Sequence, residues 1–361
     1  MPLLPLARAF RARGDEVALM VPASLVPVFA DEDVDMLAAG ADSSAVMAEV
    51  TRRTGLDVRT NSGVEVEAFV TTRLDLSVEE CVPAVQRWRP DLVIHDPLDF
   101  VGPYLAAVRG VPHAVLTFGA DVSAAFRRTC ADRAVRDYAA RGVPWQEPRW
   151  VLDICPPALQ VDGWQPPPGR LPLRPEAHRA PAGASPRPPD PVSGRPRILI
   201  TFGTLFTDPA VLGPLISELT AHGAGVRVTL GTTTSVGDFT VDHARVTFEE
   251  FLPYDLLLDG IDVVVAHGGA GTNLGALAAG CPLVLIPQGA DQKGHAERVA
   301  AAGAAVHLDS ASSDPAALAR TVLDVAAQPG PRANARNIAR QIAAMPAPGE
   351  VAAQLAAELA A

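Results

Sequence analysis

The segment Val263–Thr272, with the sequence VVVAHGGAGT, constrains the fold more than any other part of the chain. Three consecutive β-branched valines favour a buried strand, and the glycines that follow them favour a tight turn. The segment from Asn273 to Ala279 then reads as a short helix that stops at Gly280, and Pro282 opens the next strand. A strand, a glycine turn and a helix in this order are typical of α/β proteins with a parallel sheet.

The same turn has the features of an anion-binding site. The first N–H groups of a helix lack intrahelical acceptors, and the helix dipole adds partial positive charge there. Glycines let a phosphate approach the backbone closely. His267 at the strand end can donate a ring N–H to a phosphate oxygen, and the Thr272 hydroxyl can cap the helix and contact the same phosphate. The alternative is an ordinary strand–helix turn whose glycines only permit tight packing.

The sequence that follows favours the ligand-binding interpretation. The run Pro282–Pro287 reads as a buried strand, and polar residues, Asp291 and Gln292, come shortly after it. A helix then extends to Gly303, and the segment from Ala304 to Leu308 reads as another strand. Parallel sheets bind ligands at the carboxyl ends of their strands, so these polar residues are predicted to lie at the ligand-binding edge.

These motifs resemble a known family. The sequences HGGAGT (267–272), GCPLVLIP (280–287), DQ (291–292) and AERV (296–299) are similar to the donor-binding half of nucleotide-sugar-dependent glycosyltransferases of the GT-B fold. The subgroup that they most resemble comprises bacterial enzymes that glycosylate antibiotics and other natural products, of macrolide and enediyne type. The resemblance is strong from about Arg197 to the end and weak before it. It implies an α/β fold of two Rossmann-like, doubly wound domains that face each other across a cleft.

The resemblance also implies a donor site in the C-terminal half. The diphosphate of a nucleoside-diphosphate sugar, expected to be dTDP-linked, is predicted to contact six residues: Thr204, His267, Gly269, Ala270, Gly271 and Thr272. Phe251 and Leu252 are expected to contact the base, although Phe251 also suits a core position. Asp291 and Gln292 are expected to bind sugar hydroxyls. No metal or other cofactor is expected, because the helix N-terminus and His267 can stabilise the leaving diphosphate.

In the N-terminal half, Asp96 is the candidate catalytic residue. It ends the predicted strand Pro90–Asp96 and matches the aspartate that orients the family's general-base histidine. Its alternative role is to cap a strand or helix. None of His95, His113 and His267 matches the position of that base.

The family normally has a strand and a histidine loop before the helix that Leu3–Arg11 resembles. Neither segment is present among the 361 residues. Three explanations stay open: a start further upstream, a truncated inactive remnant, or a chain that works without the base. The first is favoured, because the rest of the domain pattern is intact. Loss of that central strand is expected to leave unpaired edges on two neighbouring strands.

Length and composition favour two domains, because 361 residues exceed one typical core and 48% of them are hydrophobic. We predict an acceptor-binding domain over residues 1–164, a proline-rich linker over 165–196 and a nucleotide-sugar-binding domain over 197–340. Residues 341–361 are expected to form a helix that packs back on the N-terminal domain. The linker boundary follows from the crowding of proline, arginine and small residues, which disfavours helices and central strands.

Charge and cysteine content exclude several classes of protein. The formal net charge of -11 argues against nucleic-acid and anionic-membrane partners. The four cysteines lie far apart without a zinc-binding spacing, which favours a reduced chain. No signal peptide is visible, so a cytoplasmic location is expected. The oligomeric state stays open, with a homodimer among the options.

The sequence therefore predicts an inverting, metal-independent glycosyltransferase. It is expected to move a sugar, favoured to be a deoxysugar, from a nucleoside diphosphate to a hydroxyl of a natural-product aglycone. Two other classes stay open. One is a nucleotide-sugar epimerase or hydrolase, and the other is an auxiliary or catalytically impaired protein that keeps the donor fold without the base.

Overall fold

The computed structural model describes residues 3–58, 61–177, 195–202, 209–230, 234–241, 244–249, 252–309 and 314–361. Within these ranges the strands form sheets of two, four and six strands. Every pairing between neighbouring strands in these sheets is parallel. No helix in the same ranges is both long enough and apolar enough to cross a membrane.

The N-terminal half builds the two smaller sheets. Its strands are β1 (Ala18–Val21), β2 (Asp35–Ala38), β3 (Val93–His95), β4 (His113–Leu116), β5 (Trp150–Asp153) and β6 (Arg170–Pro172). Its helices are α1 (Leu4–Arg13), α2 (Ser43–Thr54), α3 (Arg73–Trp88), α4 (Val101–Arg109) and α5 (Ala124–Ala140). A wider, π-type segment, Glu67–Thr72, runs directly into α3.

The strand order separates the N-terminal sheets. Strand β1 pairs with β2, whereas the larger sheet has the order β3-β4-β5-β6. Among the described residues, β1 and β3 therefore each have one unpaired edge. Strand β6 lies inside the segment predicted as a linker, and it occupies the outer edge of its sheet. A proline there is tolerated because an edge strand does not need every N–H for pairing. The predicted domain boundaries themselves stay a prediction.

The C-terminal half builds the six-stranded sheet. Its strands are β7 (Arg197–Thr201), β8 (Gly225–Thr229), β9 (Val246–Glu249), β10 (Val263–Ala266), β11 (Leu283–Leu285) and β12 (Ala305–His307). Its helices are α6 (Pro209–Ala221), α7 (Tyr254–Leu257), α8 (Ala270–Ala278), α9 (Gln292–Ala301), α10 (Pro315–Ala327), α11 (Pro329–Ala343) and α12 (Pro348–Leu359).

The strand order of this sheet is β12-β11-β10-β7-β8-β9. From β7 the chain adds β8 and β9 on one side, and from β10 it adds β11 and β12 on the other side, so the order switches between β7 and β10. Doubly wound sheets bind ligands in the crevice at such a switch point, outside the carboxyl ends of the two strands. In this chain β10 ends at Ala266, so the glycine turn starts at that crevice. The topology thus places the predicted anion site where the fold favours a ligand.

Both faces of the six-stranded sheet are buried. Ile198 and Val263 pack into one apolar core, whereas their neighbours Leu199 and Val264 pack into another. Successive residues of a strand point to opposite faces, so helices on both sides require continuous apolar strands rather than alternating ones. This is why the valine run identified a central strand.

The C-terminal helix α12 lies against the N-terminal half. It packs on α1, and the Trp150 indole N–H donates to the Glu358 carboxylate at 2.6 Å. The Arg149 guanidinium donates to the backbone carbonyl of the same glutamate at 2.9 Å. These contacts join the end of the chain to β5.

Candidate functional site

The glycine turn forms the first wall of the site. Helix α8 begins at Ala270, rather than at Asn273 as the sequence suggested, and Gly269 is its N-cap without a side-chain hydrogen bond. Thr272 therefore lies within the first helical turn, and its hydroxyl does not cap the helix. The first-turn N–H groups have no acceptor inside a helix, so they are free to bind an anion.

Steric contacts explain the two glycines before α8. Gly268 has a φ of +91°, and a Cβ there would lie 3.0 Å from the Gln292 carbonyl oxygen. A Cβ on Gly269 would lie 2.6 Å from the His267 Nε2 atom. The His267 ring therefore folds over Gly269, beside the helix N-terminus. Burial lowers the pKa of His267, so at neutral pH the ring is uncharged and has one N–H to donate.

The residues predicted to bind sugar lie at the start of α9. The half-buried Asp291 carboxylate contacts the His295 Nε2 atom at 3.2 Å, and this hydrogen bond lowers the pKa of Asp291. Gln292 is buried, and its Oε1 accepts from the backbone N–H groups of Gln288, at 2.8 Å, and Gly289, at 3.2 Å. Its oxygen thus orders the loop after β11, and its NH₂ group is the part left for a ligand.

Two further residues predicted for the donor, Thr204 and Phe251, lie outside the described residues. Leu252, predicted beside the base, is half-buried and packs against the core that includes Leu257 and Leu274. Part of its side chain is therefore used for packing.

A cavity of about 420 Å³ lies between the two halves of the chain. Its lining includes Leu98, Val115, Thr117, Phe118, Gly119, Val122, Arg127, Val151, Asp153, Gln160, Trp164, Asp291 and His295. Thr117 follows β4, Asp153 ends β5, and Asp291 and His295 come from the C-terminal half. The carboxyl edge of the four-stranded sheet thus faces the donor side across this cavity.

Sequence reasoning missed Asp153, the most buried carboxylate of the cavity, because it belongs to no motif. Its side chain is 4% exposed and accepts from Arg170 Nε at 2.7 Å, Gln160 Nε2 at 3.0 Å and the Cys155 N–H at 2.9 Å. A buried charge requires such partners. One signal was available: like Asp96, this aspartate ends an apolar strand.

The loop 117–123 closes the cavity against the donor side. Gly119 has a φ of +116°, and a Cβ there would lie 3.5 Å from His295 Cε1 and 3.6 Å from the Ala270 Cβ. A Cβ on Gly294 would lie 2.7 Å from the Val122 Cβ. The loop therefore packs on the first turns of both α8 and α9, and the donor turn and the cavity share one wall.

Asp96 stands at the carboxyl end of β3, next to this wall. Its Oδ1 accepts from the Leu98 N–H at 2.8 Å. Burial, followed by the charge of Asp99, raises the pKa of Asp96 to about 6. The cavity lining begins at the next residue, Pro97. This contact closes a turn after β3, whereas the first N–H groups of α4, on Val101 and Gly102, donate to Asp99 Oδ1. The catalytic role of Asp96 stays a prediction.

His95 and His113 pair with each other in the interior. Their rings meet at 2.9 Å between Nε2 of His95 and Nδ1 of His113. The outer nitrogens face backbone carbonyls, of Asp96 at 2.8 Å and of Gln146 at 3.1 Å. Burial lowers both pKa values, that of His113 to about 4. Neither ring is placed to reach a ligand.

We expect Asp96→Asn to raise the thermal unfolding temperature at pH 8, by about 2 °C or more. The pKa of about 6 lies above the ordinary 3.8, so ionisation of Asp96 opposes folding. That penalty develops as pH rises from about 3.8 and is complete above about 6. Asparagine keeps the oxygen that accepts from Leu98. The gain should therefore be smaller at pH 4.5, and an equal gain at both pH values would contradict the raised pKa.

Comparisons with known proteins place both halves in one family. The family described as "Erythromycin biosynthesis protein CIII-like" matches with its N-terminal domain over residues 8–166 and with its C-terminal domain over residues 218–358. Elloramycin glycosyltransferase ElmGT from Streptomyces olivaceus is 31% identical over an alignment 377 residues long. The alignment covers 98% of this chain and 93% of that protein.

Solved structures give the same result. The glycosyltransferase SnogD from Streptomyces nogalater superposes with a TM-score of 0.80 at 27% identity, over 99% of this chain and 95% of that one. The glycosyltransferase SsfS6 from Streptomyces sp. SF2575, complexed with thymidine diphosphate, has a TM-score of 0.80 at 24% identity. That match covers 99% of this chain and 95% of the other, and it supports the shared fold.

Proposed function

This chain belongs to the erythromycin biosynthesis protein CIII-like family and is a glycosyltransferase of the GT-B fold, and we propose that it transfers a deoxysugar from a nucleoside diphosphate to a natural-product hydroxyl. The fold and the enzyme class predicted from the sequence are thereby confirmed. The identity of donor, acceptor and catalytic groups belongs to the proposal.

One observation carries the donor assignment. The glycine turn lies at the switch point of the six-stranded sheet, the N-cap of α8 is Gly269 without a side-chain hydrogen bond, and His267 folds over Gly269. A diphosphate fits this site because its charge is matched by backbone N–H groups, the helix dipole and a ring N–H. Thymidine diphosphate is the proposed nucleotide, and the complex of SsfS6 with that nucleotide supports the choice.

The same groups serve the chemistry. When the bond between sugar and diphosphate breaks, negative charge builds on the diphosphate, and preorganised donors stabilise it most at that moment. We assign this role to the first turn of α8 and to His267, with no metal required. A single displacement with inversion is proposed, because the cavity shares a wall with the donor turn and lets an acceptor approach from the other side.

The cavity suits an apolar acceptor that carries a few hydroxyls. Leu98, Phe118, Val122 and Trp164 supply apolar surface, and Thr117 supplies a hydroxyl. Ligand sites commonly combine an apolar lining with a few polar groups that fix orientation. A polycyclic natural-product aglycone has this character.

A deoxysugar suits the donor side, where the described residues offer few side-chain hydrogen-bonding groups that are not already bonded. The Oε1 atom of Gln292 accepts hydrogen bonds from two backbone N–H groups, and the Asp291 carboxylate is hydrogen-bonded to His295. A sugar with fewer hydroxyls leaves fewer of them unpaired in such a site. Asp96 is proposed as the carboxylate that orients a histidine base, and His95 and His113 are not that base because they bond each other.

The direct test is product formation. The protein is incubated with thymidine-diphosphate deoxysugars and a panel of polyketide, enediyne and glycopeptide aglycones, and products are identified by mass spectrometry. We expect a mass gain of one sugar on at least one aglycone. Hydrolysis or epimerisation of the donor without transfer to any acceptor would contradict the proposal.

We expect His267→Ala to weaken thymidine-diphosphate binding by roughly 10-fold while leaving thymidine binding nearly unchanged. A hydrogen bond to a charged group contributes about 1.5–3 kcal/mol, and only the diphosphate loses it. Isothermal titration calorimetry with both ligands measures the difference. His222→Ala, at an exposed position just after α6, is the control. Equal losses for the two ligands would remove His267 from the phosphate site.

A further inference from the structure

Asn273 is a buried amide in the first turn of α8 to which neither the sequence nor the proposed chemistry gives a role. The residue is 2% exposed, and its Nδ2 donates to the Gly268 carbonyl at 2.9 Å. Its Oδ1 is buried without a hydrogen-bond partner among the described residues. An apolar side chain of the same size would avoid that unpartnered acceptor. Packing alone therefore does not account for an amide at this position.

The hydrogen bond from Asn273 fixes the direction of one peptide group. Gly268 C=O and Gly269 N–H belong to the same planar, trans peptide, so they point in opposite directions. Asn273 draws the carbonyl inward, and the Gly269 N–H is thereby turned outward from the turn. The Asn273 backbone N–H also donates to the Gly269 carbonyl at 3.0 Å, which orients the next peptide in the same sense.

The turn needs such a restraint. Gly268 has a φ of +91°, and glycine populates positive and negative φ about equally. Two glycines in sequence therefore give this peptide no strong preference of its own. A bond from a residue held inside α8 selects one orientation without placing a side chain in the path of a ligand.

We propose that Asn273 is a positioning residue for the donor diphosphate. It holds the peptide between Gly268 and Gly269 so that the Gly269 N–H faces the bound phosphate. The inference rests on the proposed donor site at this turn, and it adds to that site a residue that does not itself touch the ligand.

Asn273→Asp tests the direction of the bond. A carboxylate cannot donate to the Gly268 carbonyl, whereas a protonated carboxyl can. We expect thymidine diphosphate to bind at least about 10-fold more weakly to this variant at pH 8. The loss should shrink as pH is lowered to 5.5, because burial favours the protonated acid. The wild type, titrated in parallel, corrects for protonation of the nucleotide. A loss that does not change with pH would overturn the proposal.

Asn273→Leu separates positioning from folding. Leucine has the same branching as asparagine but bulkier ends, and it removes both the donor and the unpartnered acceptor. The buried Gly268 carbonyl then loses its partner, so a moderate fall in the unfolding temperature is expected, and thermal unfolding checks that the variant is still folded. Binding of thymidine diphosphate should still weaken by about 10-fold, with thymidine binding unchanged. A folded Asn273→Leu protein that binds thymidine diphosphate as tightly as the wild type would overturn the proposal.

A measurement on the wild type covers the case in which both variants fail to fold. Addition of thymidine diphosphate should shift the Gly269 amide resonance strongly in a nitrogen–proton correlation spectrum, and an unmoved resonance would refute the proposed contact. A wild type that binds no thymidine diphosphate would overturn the donor site itself. A wild type that binds it while Asn273→Leu is unaffected would overturn only the role of Asn273.

Discussion

Gly268→Ala is expected to reduce the affinity for thymidine diphosphate by about 10- to 100-fold. The φ of +91° is unfavourable for any residue with a Cβ, at a cost of about 1–3 kcal/mol. The added Cβ would also lie 3.0 Å from the Gln292 carbonyl oxygen, which belongs to the backbone and cannot move alone. The turn must therefore change conformation, and the N–H groups that face the diphosphate would move with it.

The matched control is Gly14→Ala. Gly14 ends α1 with a φ of +92°, and no atom lies within 4 Å of the Cβ that alanine would add. The two variants share the same backbone penalty, but only Gly268→Ala also meets a neighbouring backbone atom at the site. Calorimetry should show normal nucleotide affinity for Gly14→Ala. Normal affinity in Gly268→Ala as well would mean that the diphosphate does not contact this turn.

Strands β10 and β11 were predictable because each is an uninterrupted apolar run between turn residues. The valine run became β10, and the run after Pro282 became β11. Because such strands are covered on both faces, they are continuously apolar and rich in β-branched residues, and the local sequence alone identifies them. The helix start was harder, because Gly271 and Thr272 have low helix preference and offset the high preference of Ala270, and only the sheet and α9 fix where the chain turns.

The cavity could not be read from the sequence in the same way. Asp153 and His295 are far apart in the chain and carry no motif, and they line one cavity only because two sheet edges face each other. Gln292 lies beside the glycine turn, but the sequence does not reveal that its Oε1 atom binds the loop after β11. Its role toward the sugar stays a prediction. Local patterns specify elements, whereas side-chain partners depend on packing between distant segments.

Arg170→Met is expected to lower the free energy of unfolding of the N-terminal half by about 3–5 kcal/mol. Its Nε bonds the Asp153 carboxylate at 2.7 Å, and Asp153 is 4% exposed. Removing one partner of a buried ion pair leaves the other charge uncompensated, which costs far more than the intact pair contributes. Urea unfolding followed by tryptophan fluorescence measures the change. Arg13→Met, which breaks the pair with Asp15 at the surface, should cost less than about 1 kcal/mol.

The second substitution Asp153→Asn, added to Arg170→Met, identifies the cause. Asparagine removes the stranded charge and keeps an oxygen for the Cys155 N–H, so the double variant should be more stable than Arg170→Met alone. If the double variant were no more stable, the loss would come from the Arg170 side chain, which also lies over the Trp164 ring at 5.1 Å. If Arg170→Met cost no more than Arg13→Met, water in the cavity would be solvating Asp153. Its carboxylate would then be available to an acceptor hydroxyl rather than committed to holding β5 and β6 together.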